Sequence, residues 1–139
     1  MNFVSIRIIT AEIQRLVGFY EKISGVIPTW YTEDFAEIAT PAGTLAIASE
    51  RTLKLFTAES ARAADNHSVI LEFLVADVDA EYRRLAPLIG SVQQEPTTMP
   101  WGNRSLLFRD PDGNLVNFFT PVSEAAIEKF AHRTAEARR

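Results

Sequence analysis

The fold is decided by residues 5–25, SIRIITAEIQRLVGFYEKISG, because residues 70–90, ILEFLVADVDAEYRRLAPLIG, repeat their pattern after a shift of 65 positions. Each copy has an apolar strand, an acidic turn, a helix and a glycine stop, and Gly25 of the first copy matches Gly90 of the second. A chain of 139 residues that repeats at nearly half its length is most simply two copies of one small unit. We expect any ligand to lie between or within the copies.

Outward from each copy, short apolar runs separated by turn residues predict further strands. In the first half these strands are 29–31, 35–40 and 44–49, with 51–57 as a candidate edge strand. In the second half they are 91–94 and the pair 104–109 and 114–120, with 95–103 irregular. The turn Asp110-Pro111-Asp112-Gly113 predicts a hairpin, because Pro sets φ and Gly supplies a positive φ.

Ser123 is the predicted cap of a last helix, and Arg133, Arg138 and Arg139 suit the dipole at its C-terminal end. The predicted fold class is α+β, with two tandem βαβββ modules in a cup-shaped, partly open mixed sheet, helices on the convex face and a C-terminal helix. We expect a single domain over 1–139. Its predicted parts are module one at about 1–57, a linker at about 58–67, module two at about 68–121 and the last helix at about 122–136.

Composition excludes several classes of function. The net charge of -4 gives no general attraction to nucleic-acid phosphates, and the absence of cysteine excludes disulfides and thiolate metal sites. No stretch approaches the roughly 20 apolar residues that cross a bilayer, and the N-terminus begins directly on a predicted strand. We therefore expect a cytoplasmic protein with no nucleic-acid or membrane partner.

The alternation of side chains along the first strand of each half places Arg7 and its repeat partner Glu72 on the inner face of the cup. A charged pair there is costly unless it is paired or used. Structural pairing and ligand binding both remain open for these two residues, which are also the candidate catalytic residues.

Large flat side chains lie in predicted rim segments of the cup. Trp30, Tyr31 and Phe35 flank an acidic turn, and Trp101 precedes the late hairpin, with Asn103 as a polar anchor. Such side chains are suited to stacking on a planar or cationic ligand. Filling the cup or packing at a dimer interface is the alternative role.

Three sequence features together resemble the vicinal oxygen chelate superfamily, which includes glyoxalases, bleomycin-resistance proteins and extradiol dioxygenases. They are Phe19-Tyr20, the run 76–79 (ADVD) and the run 108–117 (FRDPDGNLVN), and the resemblance covers about 2–121. In metal-dependent members it implies four ligand positions. Two lie seven residues before the acidic start of each helix, at Ser5 and Ile70, and two lie four residues after the turn glycine of each half, at Ile47 and Asn117. Since two isoleucines, a hydroxyl and a neutral amide do not suit a divalent cation, we expect no metal and no cofactor.

The resemblance implies a metal-free small-molecule-binding protein, similar to the bleomycin-resistance branch, that encloses an aromatic or cationic compound and acts in antibiotic resistance. We expect ligand contacts from Ser5, Arg7, Trp30, Phe35, Ile47, Ile70, Glu72, Trp101, Asn103 and Asn117. A homodimer is also expected, with the apolar stripe of Ile127, Phe130 and Ala131 at its interface.

Two alternatives stay open, although binding is favoured over catalysis. One is an enzyme: a metal-free lyase or isomerase with Glu72 as base and Arg7 stabilising an oxyanion, or a dioxygenase-like enzyme with displaced ligands such as His67 and Glu50. The other is an interaction module whose cup is filled by its own side chains.

Overall fold

A computed structural model of the protein describes residues 1–137, and Arg138 and Arg139 of the predicted last helix lie outside the described residues. The chain forms two compact units. The first comprises residues 1–66 with 111–113, and the second comprises residues 67–110 with the chain from 114 onward. No helix within residues 1–137 combines the length and the apolar character needed to cross a membrane.

The first unit contains one helix and a four-stranded sheet in the order β1-β4-β3-β2. Strand β1 is parallel to β4, and the other neighbours are antiparallel. The elements are β1 (Ser5–Thr10), α1 (Ile13–Ser24), β2 (Thr29–Thr32), β3 (Phe35–Thr40), β4 (Gly43–Ser49) and a 3₁₀-helix (Glu50–Leu55).

The second unit repeats this arrangement, with a four-stranded sheet in the order β5-β8-β7-β6 and β5 parallel to β8. Its elements are β5 (Ile70–Leu74), α2 (Val78–Leu85), β6 (Val92–Thr98), β7 (Asn103–Arg109), β8 (Leu115–Pro121) and α3 (Glu124–Ala137). The predicted α+β class, with two βαβββ modules and a C-terminal helix, is confirmed.

Helix α1 buries one apolar stripe against β3 and β4, and this stripe forms the core of the first unit. Its buried residues are Ile13, Leu16, Val17, Tyr20 and Ile23. The helix ends at Gly25, whose φ of 70° lies in the left-handed region that glycine adopts without steric cost. The predicted glycine stop of the first copy is confirmed.

Helix α2 begins as predicted, because the side chain of Asp77 accepts a hydrogen bond from the backbone N–H of Ala80 over 3.0 Å. It ends at Leu85 rather than at Gly90. Pro87 has no backbone N–H to donate to the preceding turn, so the regular helix stops before it. The backbone N–H of Ile89 still reaches the Leu85 carbonyl over 2.9 Å, which keeps Ile89 buried.

Two segments differ from the sequence predictions. Residues 51–57 are not an edge strand, because Ser49 caps a 3₁₀-helix by accepting a hydrogen bond from the Arg51 N–H. Residues 95–98 are not irregular but continue β6, which pairs with β7 through two register shifts. Strand β6 is at the edge of its sheet, where the missing N–H of Pro96 is tolerated.

The hairpin between β7 and β8 is confirmed, with Gly113 at a φ of 86°. Asp110 is buried at its base, where its two carboxylate oxygens accept hydrogen bonds from the backbone N–H and the side-chain amide of Asn114, over 2.9 and 2.8 Å. The carboxylate therefore serves the turn.

Helix α3 packs against β5 and β8 of its own unit. Ser123 caps it as predicted, accepting a hydrogen bond from the Ala126 N–H over 3.1 Å. Of the predicted apolar stripe, Phe130 packs edge to face on Phe119 with ring centroids 5.2 Å apart, whereas Ile127 is exposed.

Candidate functional site

Each sheet has two faces, and the strand register assigns the predicted site residues to them. In the first unit, Arg7 pairs with Ala46, and Ala46 pairs in turn with Glu37. Paired residues point to the same side of a sheet, so we call this side the Arg7 face; it also carries Ser5, Thr44, Ala48 and Phe35. Ile47 pairs with Ile8 and lies on the opposite face, where it is wholly buried.

The placement of Ile47 differs from the sequence prediction because the two turns have different lengths. Gly43 already belongs to β4 and pairs with Thr40 across a two-residue turn, whereas Gly113 precedes β8. Counting four residues from the glycine therefore gives a position one residue too late in the first unit, and that residue lies on the other face of the sheet. The residue equivalent to Asn117 is Ala46, since Ala46 pairs with Arg7 as Asn117 pairs with Glu72.

On the Arg7 face, a cation and two aromatic rings lie together. The guanidinium carbon of Arg7 is 5.1 Å from the centroid of the Phe35 ring, a cation–π distance. Tyr31 lies beside Phe35, with ring centroids 5.9 Å apart. Ala46 and Ala48, on the same face, are buried.

In the second unit, Glu72 and Asn117 are direct neighbours on adjacent strands. The side-chain N–H of Asn117 donates to Glu72 Oε2 over 2.8 Å. Asn117 is only 9% exposed, and its Oδ1 atom is buried with no hydrogen-bond partner. Glu72 is exposed, so this side, which we call the Glu72 face, presents a carboxylate, and the unsatisfied amide oxygen is buried in the residue next to it.

The other residues predicted to contact a ligand do not all lie on the Arg7 face or the Glu72 face. Ser5 is exposed on the Arg7 face, and Ile70 is exposed on the Glu72 face. Trp30 pairs with Ala36 and so shares the face of Ile47, away from Arg7 and Phe35. Tyr31 takes the position beside Phe35 instead, and simple alternation along β2 is the sequence feature that would have distinguished it from Trp30.

A groove in the second unit is lined by Trp101 and Asn103, two of the residues predicted to contact a ligand. The groove measures about 250 Å³, and α3 supplies its other wall through Ala125, Ala126, Lys129 and Phe130. The Oδ1 atom of Asn103 is buried without a hydrogen-bond partner. Trp101 remains 65% exposed at the mouth of the groove.

Arg104, which begins the late hairpin next to Asn103, is turned to the helix side of its sheet. It binds Asp79 of α2 through two hydrogen bonds, over 2.8 and 2.9 Å. Hydrogen bonding to the guanidinium lowers the pKa of Asp79 below its ordinary value, and the same contact raises the pKa of Arg104. This pair ties α2 to β7 and leaves Arg104 engaged within the unit.

The residues at the positions where metal-dependent relatives of such a fold hold a cation do not fit one. Ser5, Ala46, Ile70 and Asn117 supply neither a carboxylate nor an imidazole, and Glu72 adds a single carboxylate. In the part of the chain that the structure describes, no three His, Cys, Asp or Glu side chains come together as a metal site would require. His67 and Glu50 are both exposed and belong to different units.

Solved structures with the same fold come from several bacteria. A glyoxalase/bleomycin resistance protein/dioxygenase from Nocardioides superposes with a TM-score of 0.72 at 21% identity, covering 89% of this chain and 85% of that chain. A protein of unknown function from Agrobacterium tumefaciens gives 0.75 at 26% identity, with coverages of 88% and 95%. A glyoxalase/bleomycin resistance protein/dioxygenase family enzyme from Burkholderia phytofirmans gives 0.72 at 15% identity, with coverages of 85% and 97%.

No curated protein matches the sequence. The family model described as Glyoxalase/Bleomycin resistance protein/Dioxygenase superfamily matches residues 2–118, which include both βαβββ modules almost completely. The chain therefore belongs to the glyoxalase/bleomycin resistance protein/dioxygenase superfamily.

Proposed function

We propose that the protein binds a small cationic compound with an aromatic or apolar body, without a metal, on the Glu72 face of its second unit. The observation that carries this proposal is the amide oxygen of Asn117, which is buried without a hydrogen-bond partner beside the Glu72 carboxylate. Superfamily members bind small molecules, and this pair is where the chain offers a recognisable chemical preference.

The preference for a cationic hydrogen-bond donor follows from the unpaired acceptor of Asn117 and the negative charge of Glu72. A buried acceptor without a partner costs about 1–3 kcal/mol, which a ligand that donates a hydrogen bond recovers on binding. Glu72 adds a negative charge next to this acceptor, so a donor that is also a cation is favoured over a neutral one. Protonated amines, amidines and guanidines combine both properties.

The surroundings of the pair favour an apolar body on that cation. Leu107 lies next to Asn117 on β7, and Leu74 and Phe119 continue the same face toward α3. Phe130 of α3 already rests on Phe119, which bounds the apolar area at that end. A planar ring beside the half-buried Leu107 would remove apolar surface from water while its cationic group reaches Glu72.

Sequestration of a toxic compound needs only affinity and stoichiometry, so antibiotic resistance is the role that this binding chemistry would serve. A cytoplasmic homodimer is part of the same proposal. The exposed Ile127 of α3 and the exposed Ile70 on β5 are apolar side chains that a second copy would cover.

Catalysis is the alternative use of the same carboxylate. A lyase or isomerase would need Glu72 as base, and its exposure makes the carboxylate accessible to a substrate. A dioxygenase-like activity through displaced ligands such as His67 and Glu50 has weaker support, because no three His, Cys, Asp or Glu side chains among residues 1–137 come together as a metal site would require. Turnover that is lost in Glu72→Gln while affinity is kept would favour the enzyme.

Calorimetry with an aromatic cation, 1-naphthylmethylammonium, tests the binding proposal. We expect Glu72→Gln and Asn117→Leu each to weaken binding of the cation about 10–100-fold, since each removes one hydrogen-bond acceptor from the site. Glu21→Gln, on the exposed side of α1, is the matched control and should leave the affinity unchanged.

Two results would overturn the proposal. One is equal affinity of the cation for Glu72→Gln and Glu21→Gln, or no affinity for naphthylmethyl cations with ammonium, amidinium or guanidinium heads. The other concerns metal: a stoichiometric Mn²⁺ or Zn²⁺ that survives dialysis and depends on Glu72 would contradict metal-free binding.

A further inference from the structure

We propose that the first unit carries a separate binding site for a planar anion, with Arg7 as its anchor and the rings of Phe35 and Tyr31 as its stacking surface. The ligand class is an aromatic carboxylate. This site is in the first unit, whereas the Glu72 face is in the second unit, and binding at the Arg7 site does not require Glu72.

The repeat itself points to this difference. Arg7 and Glu72 occupy equivalent positions, each on the first strand of its unit and each paired with the last strand. They carry opposite charges, and the residue paired with them is Ala46 in one unit and Asn117 in the other. The two units thus present opposite chemistry at the same structural position.

Arg7 also differs from other arginines of the chain in what it contacts. Within the described residues, a carboxylate binds each of Arg15, Arg51, Arg62, Arg84 and Arg104. The contact that the structure gives to Arg7 is the face of the Phe35 ring, with no carboxylate bound. A positive charge held on an aromatic ring and not neutralised by an acid is available for an external anion.

The cation–π contact with Phe35 occupies no N–H donor of Arg7. It uses the positive charge of the guanidinium, whose carbon lies 5.1 Å from the ring centroid. A carboxylate accepts two such N–H groups side by side. Phe35 therefore holds Arg7 without consuming the donors that a ligand would use.

The neighbours of Arg7 favour a flat ligand with one orientation. Tyr31 is exposed beside Phe35, so a flat ring can pack against this aromatic pair. Glu37, across Ala46 from Arg7, repels an anion from that side of the face. The carboxylate is thereby directed to Arg7 and the ring to the aromatic pair.

Titration with 2-naphthoate, followed by calorimetry and by amide chemical shifts, tests this site. We expect Arg7→Gln to weaken binding about 10–100-fold through the loss of a bidentate charged contact. Arg7→Lys should restore only part of it, because an ammonium neither stacks nor binds in the bidentate manner. Phe35→Leu should lower the affinity less than Arg7→Gln does.

Arg62→Gln, in the exposed segment between β4 and β5, is the control for loss of one positive charge and should bind 2-naphthoate as the wild type does. Glu72→Gln should leave 2-naphthoate binding unchanged, while it weakens the naphthyl cation. Equal affinity of Arg7→Gln and Arg62→Gln would overturn the site, as would undetectable binding of 2-naphthoate by the wild type at millimolar concentration. Either outcome leaves the cation result, and hence the proposed function, to be judged by itself.

Discussion

Asn117 is hydrogen-bonded to Glu72 across the β5–β8 pair over 2.8 Å, while its own amide oxygen is buried with no hydrogen-bond partner. A protein gains no stability from such an atom, since burying an unpaired acceptor costs about 1–3 kcal/mol. The amide interrupts an otherwise apolar stretch of β8. Binding sites carry local costs in stability of this kind.

The first prediction follows from that cost. Asn117→Leu keeps a similar volume and removes the unpaired oxygen, so the free energy of unfolding should stay equal or rise by up to about 1 kcal/mol. Urea denaturation measures it. A loss of more than about 2 kcal/mol would mean that the hydrogen bond to Glu72 is structural, and the site would lose its main support.

The second prediction tests the register of β4. Ile47 is wholly buried on the helix-covered face, so Ile47→Ala should destabilise the protein by about 2–5 kcal/mol without a direct effect on a ligand of the Arg7 face. Ser5→Ala, at an exposed position of the Arg7 face, should change the stability by less than about 0.5 kcal/mol. Similar stabilities for both variants would show that the register is different.

The third prediction concerns the attachment of α3. A Cβ atom on Gly102, whose φ is 94°, would lie 1.9 Å from Ser123 Oγ, in the residue that caps α3. Gly102→Ala should therefore cost at least about 2–3 kcal/mol, measured by urea denaturation.

Gly18→Ala is the matched control for that substitution. A Cβ at Gly18 meets nothing within 4 Å, and the residue is inside α1, so alanine should stabilise by about 0.5–1 kcal/mol. If Gly102→Ala were as stable as Gly18→Ala, the start of α3 would not lie as close to Gly102 as the structure places it.

The fourth prediction concerns pH and the Asp79–Arg104 pair. Because the pKa of Asp79 is lowered from its ordinary 3.8 in the folded protein, its contribution to stability is present above about pH 4 and is lost as the pH falls through the folded value. We expect Arg104→Gln to lower the Tm by about 1–4 °C at pH 7. This difference from the wild type should shrink below pH 4.

Thermal unfolding of both proteins between pH 3 and pH 7 measures that difference. Arg62→Gln breaks the exposed Arg62–Asp65 pair, which lies in the chain segment between β4 and β5. It serves as the control and should shift the Tm little at any pH. A Tm difference for Arg104→Gln that is constant across this range would contradict the role of Asp79.

Features that depend on residues close in sequence were predictable. The glycine at 25, the aspartate cap at 77 and the turn at 110–113 each act through their own backbone or side chain within a few residues. Pro87 shows the limit of this approach, because its effect on α2 overrode an apolar spacing that continued to Ile89.

The candidate site was only partly predictable, because a site depends on which side of a sheet each residue occupies. Arg7 and Glu72 were assigned to one face by alternation within a single strand, and both side chains are exposed. Ile47 was assigned by counting from the turn glycine, where one extra residue reverses the direction of the side chain. Trp30 was assigned from its place beside the acidic turn. The structure puts Ala46 and Tyr31 in the places where those two were expected.

By itself, the sequence determined that the chain is two copies of one βαβββ unit, because the repeat of apolar spacing and stop residues is encoded locally in each copy. Only the tertiary structure decided that Asn117 is buried with an unpaired oxygen beside Glu72 and that Arg7 lies on Phe35. Those relationships arise from the pairing of strands far apart in the chain, and a one-residue change in register is enough to remove them.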